Sequence, residues 1–301
     1  MTHTAQRIAV ITVTWNSASV IAEFLTSVQA SRFNGELQVI VVDNESADAT
    51  LEVVHRVMPS AVLVSTGRNA GYAAGVNAGI RRAEDCDAYL VLNPDLRLDP
   101  DAVQIMADTL ASGGSGIVVP RLVDGTGGVR YSIRRDPTVL RAWGEALLGG
   151  NRAGRFHHLG EVERHEDAYR IERTVDWATG AAMLISRECA SAVGEWDETY
   201  FLYSEETDYA LRARDAGFVI RYTPAAQVVH LEGESHEAPA LFALLTRNRV
   251  KLYRSRHGAL RSAMFWLAVT AGELLRCRSR VHRAALWALL GRRGVVAQPG
   301  D

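Results

Sequence analysis

Five short clusters of carboxylate, amide and imidazole side chains carry the chemical content of this 301-residue sequence. Asn93-Pro94-Asp95 follows an apolar run. A carboxylate at such a strand end, with an amide beside it, can hold a divalent cation through oxygen ligands. A cation there can neutralise charge building on a diphosphate leaving group; the plainer alternative is that Pro94-Asp95 only turns the chain. Asp43-Asn44-Glu45-Ser46 closes another apolar run and can either receive a nucleobase or ribose or form an Asx turn with Ser46 as a helix cap. Gly67-Arg68-Asn69-Ala70-Gly71 through Asn77 holds glycines that let backbone approach a phosphate at a helix start. Its spacing is not the G-x-G-x-x-G of a dinucleotide fingerprint.

Ser204-Glu205-Glu206-Thr207-Asp208 opens a helix in which Asp208 and Arg212 pair at i,i+4. Acids in a first turn complement the helix dipole, which is reading enough for Glu205. For Glu206 the same dipole favours the ionised form that a general base needs. The nearby aromatics Trp196, Tyr200, Phe201 and Tyr203 offer either a sugar platform or core packing. His230 ends a short apolar run, where it can ligate a metal, donate to a phosphate or serve as a hydrogen-bonded structural residue.

The elements that must position these groups alternate in type. Ile8–Thr14, Leu37–Val42, Ala61–Ser65, Tyr89–Leu92 and Gly116–Val119 read as buried strands, with helices expected between them. Ser17 or Ser19, and then Ser46 or Asp48, stand where the first two helices need caps. Alternation of this kind predicts an α/β fold with a mostly parallel, doubly wound sheet covered by helices on both faces. Ligands in such sheets bind beyond the carboxyl ends of the strands, where Asp43, Arg68-Asn69 and Asn93-Pro94-Asp95 all fall. Gly125–Gly128 reads as a hairpin, and Asp136–Arg173 as a mobile loop or short helical insertion. Later come a strand at Ala181–Ser186, a helix at Glu206–Ala216 and short strands at Val219–Tyr222 and Val228–His230. From about Pro239 the pattern is helical to Arg256, and again from Leu260 to Leu290.

The clusters and their flanks occur in a telling order. Thr12-Val13-Thr14-Trp15-Asn16, Val42–Ser46, Gly67–Asn77 and Leu92–Asp95 are followed by Trp177-Ala178-Thr179-Gly180-Ala181, Gly194-Glu195-Trp196-Asp197-Glu198, Tyr203–Asp208 and Arg212-Ala213-Arg214. Over roughly residues 8 to 255 this resembles the family-2 glycosyltransferases of GT-A fold, and within them the bacterial rhamnosyltransferase-like branch. The resemblance implies an inverting transfer from a nucleotide-diphosphate sugar, with deoxythymidine-diphosphate (dTDP) rhamnose suggested by the branch, to a polyprenyl-diphosphate-linked saccharide or another saccharide acceptor, with a soluble natural-product acceptor as the alternative. It puts Thr14, Asn16, Asp43, Asn44, Ser46, Arg68, Asn69, Gly71, Asn77, Asn93 and Asp95 at the nucleotide sugar. It puts Trp177, Thr179, Gly180, Ala181, Tyr203, Glu205 and Asp208 at the acceptor and sugar cleft, and makes Glu206 the base. Asp95 and His230 would hold Mg²⁺ or Mn²⁺, and Arg247-Asn248 matches a late pair whose role the resemblance leaves open. Two departures stand out: Asn93 replaces the first acid of the family's D-x-D, and Glu206 replaces the more usual Asp.

Composition sets the remaining bounds. Of 33 basic and 35 acidic residues, 12 basic and 2 acidic lie from Leu241 onward, so an acidic body carries a basic tail. This divides the chain into a catalytic domain at 1–240, with a nucleotide half to about 120 and an acceptor half from 121, and a helical extension at 241–301. Met264–Leu275 is too short to span a bilayer, which takes about 20 clean apolar residues. With Arg261, Arg276, Arg278, Arg280 and Arg283 around it, the stretch 258–293 reads as basic amphipathic helices on an anionic membrane surface. Packing on the catalytic domain or on a second copy, as in a homodimer, is the alternative. Nucleic acid is not expected as a partner, because the arginines alternate with long apolar runs. Three dispersed cysteines exclude a disulfide framework, and a polar Met1–Gln6 start reads as no signal peptide, so a cytoplasmic protein on the inner membrane face is expected. A nucleotidyltransferase lacks its basic Gly-rich signature at Ile11–Ser19, and a nicotinamide oxidoreductase lacks its fingerprint. A catalytically silent sugar-nucleotide-binding protein is disfavoured by the retained Asp95 and Glu206.

Overall fold

The structure is a computed structural model and describes residues 6–231 and 238–291. Gly233, His236 and the last residues of the basic tail, singled out in the sequence, lie outside the described residues. Strands β1 (Gln6–Thr14), β2 (Gly35–Asp43), β3 (Val62–Ser65) and β4 (Ala88–Leu92) alternate with helices α1 (Ile21–Gln29), α2 (Thr50–Val57) and α3 (Tyr72–Arg82). After β4 come the short β5 (Leu96–Leu98), helix α4 (Ala102–Ala111), β6 (Ser115–Val123) and β7 (Ile133–Arg134). The stretch between β7 and the next full strand holds α5 (Val139–Leu148), α6 (Gly150–Ala153), a 3₁₀ turn at Glu166–Tyr169, β8 (Arg173–Val175) and β9 (Trp177–Ala178). Then follow β10 (Ala182–Ser186), α7 (Arg187–Val193), α8 (Glu205–Asp215), β11 (Val219–His230), α9 (Pro239–Arg256), α10 (Ala259–Leu275) and α11 (Arg280–Leu289).

One sheet organises the chain, in the order β3-β2-β1-β4-β10-β6-β11-β5, with β8 added on β11. Alternate residues of each strand feed two cores. Ile8 and Val10 pack with Phe24, Leu25, Val54 and Met106 beneath one face, while Ala9, Ile11 and Val13 pack with Val76, Tyr209 and Trp196 on the other. That two-sided burial explains the unbroken apolar runs, because neither face of a central strand meets water. All pairings among β1, β2, β3 and β4 are parallel. The second half departs from the parallel expectation: β10 runs antiparallel to both neighbours, and β11 to β5 and β8. A strand that arrives through the long β6–β10 connection is not bound to the right-handed helical crossover that keeps neighbours parallel.

Local expectations fare unevenly. Asp124 and Gly128 close the expected hairpin. Neither α1 nor α2 has a side-chain cap at its N-cap residue, Val20 and Ala49, so the expected serine and aspartate caps are not formed; Asp48 Oδ1 instead takes the Thr50 amide at 3.0 Å from one residue further out. Of the two readings of Asp136–Arg173, the helical insertion is the one found, with α5, α6 and a 3₁₀ turn, and Arg249 of α9 ties it down by reaching back to Glu145 of α5 at 2.6 Å and to Glu161. The two short late strands are one, β11, whose register to β6 shifts between Thr223 and Gln227. The tail helices fold back on the body: α10 buries Phe265, Ala268 and Val269 against Ala142 of α5 and Val250 and Tyr253 of α9.

Candidate active site

At the carboxyl ends of β1 and β2, polar side chains bind one another. Thr14 and Asp43 are register partners, and Asp43 accepts hydrogen bonds from the Thr14 hydroxyl at 2.8 Å, the Ser46 hydroxyl at 2.6 Å and the Ser46 amide at 2.9 Å. Asn16 donates its amide N–H to Ser46 Oγ at 2.9 Å and accepts from the Ala47 amide at 2.8 Å. Asn44 is buried and donates to the Gly71 carbonyl at 2.9 Å while accepting from Thr66. The Asx turn is therefore present, and any ligand role for Asp43 comes in addition to it. Asn69 accepts from the Gly71 amide at 3.2 Å, and Arg68 is exposed beside it. Asn77 belongs elsewhere. It is buried on α3 and binds Trp196 and Glu198 through its whole amide, so it braces the chain and does not face the strand ends.

Gly71 starts α3 with φ 88°, and a Cβ there would meet the Phe201 carbonyl oxygen at 2.4 Å. That close approach seats the Tyr72 amide on the same carbonyl at 2.9 Å. Tyr72 then points its hydroxyl to within 3.5 Å of the Gly180 carbonyl. Burial, followed by Glu205, Glu206 and Asp95, pushes its phenol far above the usual range. The Gly180-Ala181 turn joins the parts: Tyr72 reaches the Gly180 carbonyl, Gly180 lies against Glu206, and Ala181 takes the Asn93 amide.

The β4 end supplies Asn93, whose amide donates to the Ala181 carbonyl at 2.9 Å and so ties the strand to the Thr179-Gly180-Ala181 turn. Asp95 lies 3.3 Å, through Oδ2, from Nε2 of His230, while its Oδ1 is buried with no hydrogen-bond partner among the described residues. Among the described residues no group of three or more His, Cys, Asp or Glu converges as a complete metal cage. An orphaned carboxylate oxygen beside an imidazole suits Mg²⁺ or Mn²⁺ whose other ligands come from phosphate and water.

Glu206 faces the cleft from the first turn of α8, with Gly180 against it. A Cβ on Gly180 would stand 2.7 Å from Glu206 Cβ. Burial raises the Glu206 carboxyl; backbone donors and the Arg134 charge pull it back part of the way. This corrects the sequence reading, in which the helix dipole lowers it: loss of water outweighs the dipole. Glu205 is buried, its Oε2 lacks a partner, and burial followed by the Glu206 charge raises its carboxyl well above the ordinary range. Asp208 is held by Arg212 at 2.7 Å and points away from chemistry into an ion pair. Trp177 is buried and donates to the Arg135 carbonyl at 3.0 Å.

The helix entry itself is strained. Tyr203 and Ser204 both adopt positive φ, 68° and 74°, in succession. Such conformations cost about 1–3 kcal/mol each for non-glycine residues and persist where surroundings impose them. Asn248 of α9 imposes them here, donating to the carbonyls of Leu202 at 2.9 Å and Tyr203 at 3.1 Å. Sequence reasoning had no role for Tyr72 or Arg134 and left Asn248 open. Only the Gly-Tyr junction at 71–72 carried a visible signal.

Residues 9–180 match the family described as glycosyl transferase family 2. The chain belongs to that family. This glycosyltransferase is 29% identical over 237 residues to the N-acetylglucosaminyl-diphospho-decaprenol L-rhamnosyltransferase of Mycobacterium tuberculosis, covering 75% of this chain and 76% of the relative. Its fold is similar to that of the Pyrobaculum calidifontis mannosyltransferase PcManGT, solved with GDP-Man and Mn²⁺: TM-score 0.60, 18% identity, 96% of this chain and 74% of that one. It is also similar to TarS of S. aureus, with TM-score 0.56 and 16% identity over 88% of this chain, though it spans only 42% of that protein. The GT-A expectation therefore holds for the fold, and transferase activity for the family.

Proposed function

We propose that this family-2 enzyme transfers a hexose with inversion from a nucleoside-diphosphate sugar to a hydroxyl of a lipid-diphosphate-linked saccharide. The observation that carries the reading is the Gly180-Ala181 turn, which lies against Glu206 on one side and takes the Asn93 amide, two residues before Asp95, on the other. A leaving-group carboxylate and a base thus stand around one sugar-sized space. Asp95 and His230 are the residues to hold Mg²⁺ or Mn²⁺, which when bound neutralises the leaving diphosphate. Glu206 takes the acceptor proton, and its raised carboxyl makes it a stronger base once ionised. The turns at Thr14–Asn16, Asp43–Ser46 and Arg68–Gly71 shape the nucleotide site. Trp177, Thr179–Ala181, Tyr203 and Glu205 shape the acceptor side.

Rhamnose as the sugar, and dTDP as its carrier, are supported by the branch resemblance and by what the mycobacterial relative is named for. That name also supports a polyprenyl-diphosphate acceptor, of the kind used in cell-wall or surface polysaccharide synthesis. A lipid acceptor fits a protein that works at a membrane surface on the cytoplasmic side. Among the described residues no helix is long and apolar enough to cross a membrane. Helix α10 nevertheless exposes Leu260, Met264, Leu267, Leu274 and Leu275, a stripe with Arg261 and Arg278 near its two ends. In this reading the residues from 241 onward extend a catalytic unit at 1–240, with α10 and α11 as the lipid-facing part and α9 bracing the unit through Asn248 and Arg249.

A panel of nucleotide sugars, scored for metal-dependent release of nucleoside diphosphate in the presence of a prenyl-diphosphate-linked N-acetylglucosamine, tests the activity. Transfer from dTDP-rhamnose is expected; release from none of the donors would sink the proposal. Co-sedimentation with vesicles containing anionic phosphatidylglycerol, with and without residues 258–301, tests the surface. Equal binding by both forms, or a stable dimer that covers the α10 stripe, counts against it.

A further inference from the structure

Arg134 is a cation without an acid to hold. The two-residue strand β7 sets it opposite Trp177 in an antiparallel ribbon and opposite Val162 in an isolated bridge. Its guanidinium carbon lies 6.0 Å from the centre of the Trp177 ring, and Nη1 donates to the Tyr131 carbonyl. Arg134 forms no ion pair with a carboxylate among the described residues. Nearby arginines differ. Arg135 pairs with Glu163 at 2.6 Å, Arg249 takes both Glu145 and Glu161, and Arg214 takes Asp136.

The electrostatics agree with the geometry. Burial lowers the Arg134 pKa; Tyr169, Glu161, Glu145 and Glu206 oppose that shift. Glu161 and Glu145 are already committed to Arg249, which leaves Glu206 as the cleft carboxylate that acts on it. The side chain is half-buried, with backbone carbonyls of Tyr131 and Ile133 and the Trp177 ring about it, so an incoming anion would supply the full counter-charge it lacks among the described residues. The planar guanidinium fork matches a phosphate group, to which it can give two parallel hydrogen bonds. The position matters as much as the charge. Arg134 stands on the side of the base, next to the acceptor-side residue Trp177, and not at the Asp95–His230 pair where a leaving diphosphate belongs.

We propose that Arg134 binds the diphosphate carried by the acceptor sugar, so that the anionic link to the lipid is read one sugar ring away from Glu206. The inference rests on the lipid-diphosphate acceptor proposed above and deepens it. It makes Arg134 the residue that separates such acceptors from neutral saccharides.

The test compares two acceptors on the full chain: farnesyl-diphosphate-linked N-acetylglucosamine and the octyl glycoside of the same sugar, which has no phosphate. Arg134→Gln should raise KM for the first by about 10- to 100-fold, as expected for a lost hydrogen bond to a charged group. The loss on the octyl glycoside, where Arg134→Gln acts only through the charge removed from beside Glu206, should be at least about 10-fold smaller than the loss on the diphosphate-linked acceptor. Arg134→Lys, which keeps the charge near Glu206 but not the fork, should retain part of the preference. An equal loss on both acceptors, or none on either, overturns the proposal and leaves Arg134 as a counter-charge for Glu206. If Arg134→Gln does not fold, an unchanged preference ratio in Arg134→Lys overturns it just as well. Should the wild type glycosylate neither acceptor, the acceptor reading itself fails. Arg134 is then judged by binding of farnesyl diphosphate with the donor site filled by nucleoside diphosphate and Mg²⁺. Weaker binding by Arg134→Gln supports the proposal, and equal binding ends it.

Discussion

The two sides of the cleft are built on opposite principles. On the nucleotide side, around β1 and β2, the polar groups satisfy one another: Thr14, Asn16, Asp43, Asn44 and Ser46 form a closed set of hydrogen bonds. On the side of the chemistry, Asp95 Oδ1 and Glu205 Oε2 are buried with no partner among the described residues, and Arg134 pairs with no acid among them. The first arrangement gives shape in advance and leaves backbone edges for a ligand. The second holds charge in poorly hydrated places, where water no longer screens what it does to a reacting group. Removing a member of the closed set should therefore cost stability first. Removing a member of the open set should cost function first: turnover at Asp95, acceptor KM at Arg134 and the pH dependence of stability at Glu205.

The largest effect sharpens that contrast. Glu206→Gln should lower kcat by about 10²–10⁴ with donor KM little changed, the usual range for a lost general base. Because burial raises this carboxyl and the base must be ionised, the acid limb of the kcat/KM profile should lie above the 4.5 of an unperturbed glutamate. Near-normal turnover in a folded variant, or an acid limb at the ordinary position, refutes the assignment. Asp95→Asn comes next, with a loss of about 10²-fold in kcat and a higher Mg²⁺ or Mn²⁺ concentration for half-maximal rate. Metal-independent residual activity equal to wild type would remove Asp95 from the leaving-group site.

Asn248→Ala probes the strained entry to α8. Loss of two hydrogen bonds to backbone carbonyls should lower kcat by about 10-fold and stability by about 2 kcal/mol, read by rate assays and denaturant unfolding. Asp43→Asn tests the closed set from the other side. It replaces an acceptor of three hydrogen bonds by a group half of which donates, and should lower Tm by about 4–8 °C. If it abolishes turnover while Tm is unchanged, the contrast drawn between the two sides is wrong. Glu205→Gln should give the smallest change. The fold favours the neutral form of Glu205, so wild-type stability is full below the ordinary glutamate range and falls as pH rises through the raised value. The variant should flatten that fall in Tm between acid and neutral pH, and an unchanged slope would show that Glu205 is not its source.

How legible each side was in the sequence follows from the reach of its interactions. The apolar runs of β1, β2 and β4 announce buried parallel strands, and the polar residues that end them sit where such strands present ligands. Local sequence carries all of that. Asp43 and Ser46 are three residues apart, so their turn was readable too. The antiparallel entry of β10 depends on a partner choice between β4 and β6 that no local pattern encodes. Arg134 becomes a cleft residue only because β7 pairs with Trp177, 43 positions along the chain. Asn77 misled for the opposite reason: it lies at the end of a glycine-rich motif, yet its partners are more than a hundred residues away at Trp196 and Glu198. Glu206 was recognisable as a base from its motif, but the direction of its acidity was not, since burial is a property of the assembled cleft.

The grip of α9 on the loop ahead of Glu206 has a practical meaning for anyone recombining this enzyme with its relatives. Asn248 holds Leu202 and Tyr203, and one residue on Arg249 ties α5 to the same helix. A chimera cut before Pro239 would therefore import a foreign helix against a loop it does not fit. A crossover after Arg256, in the short link before Ala259, keeps that grip but exchanges α10, whose Phe265, Ala268 and Val269 pack on Ala142, so the α5 surface has to be matched with it.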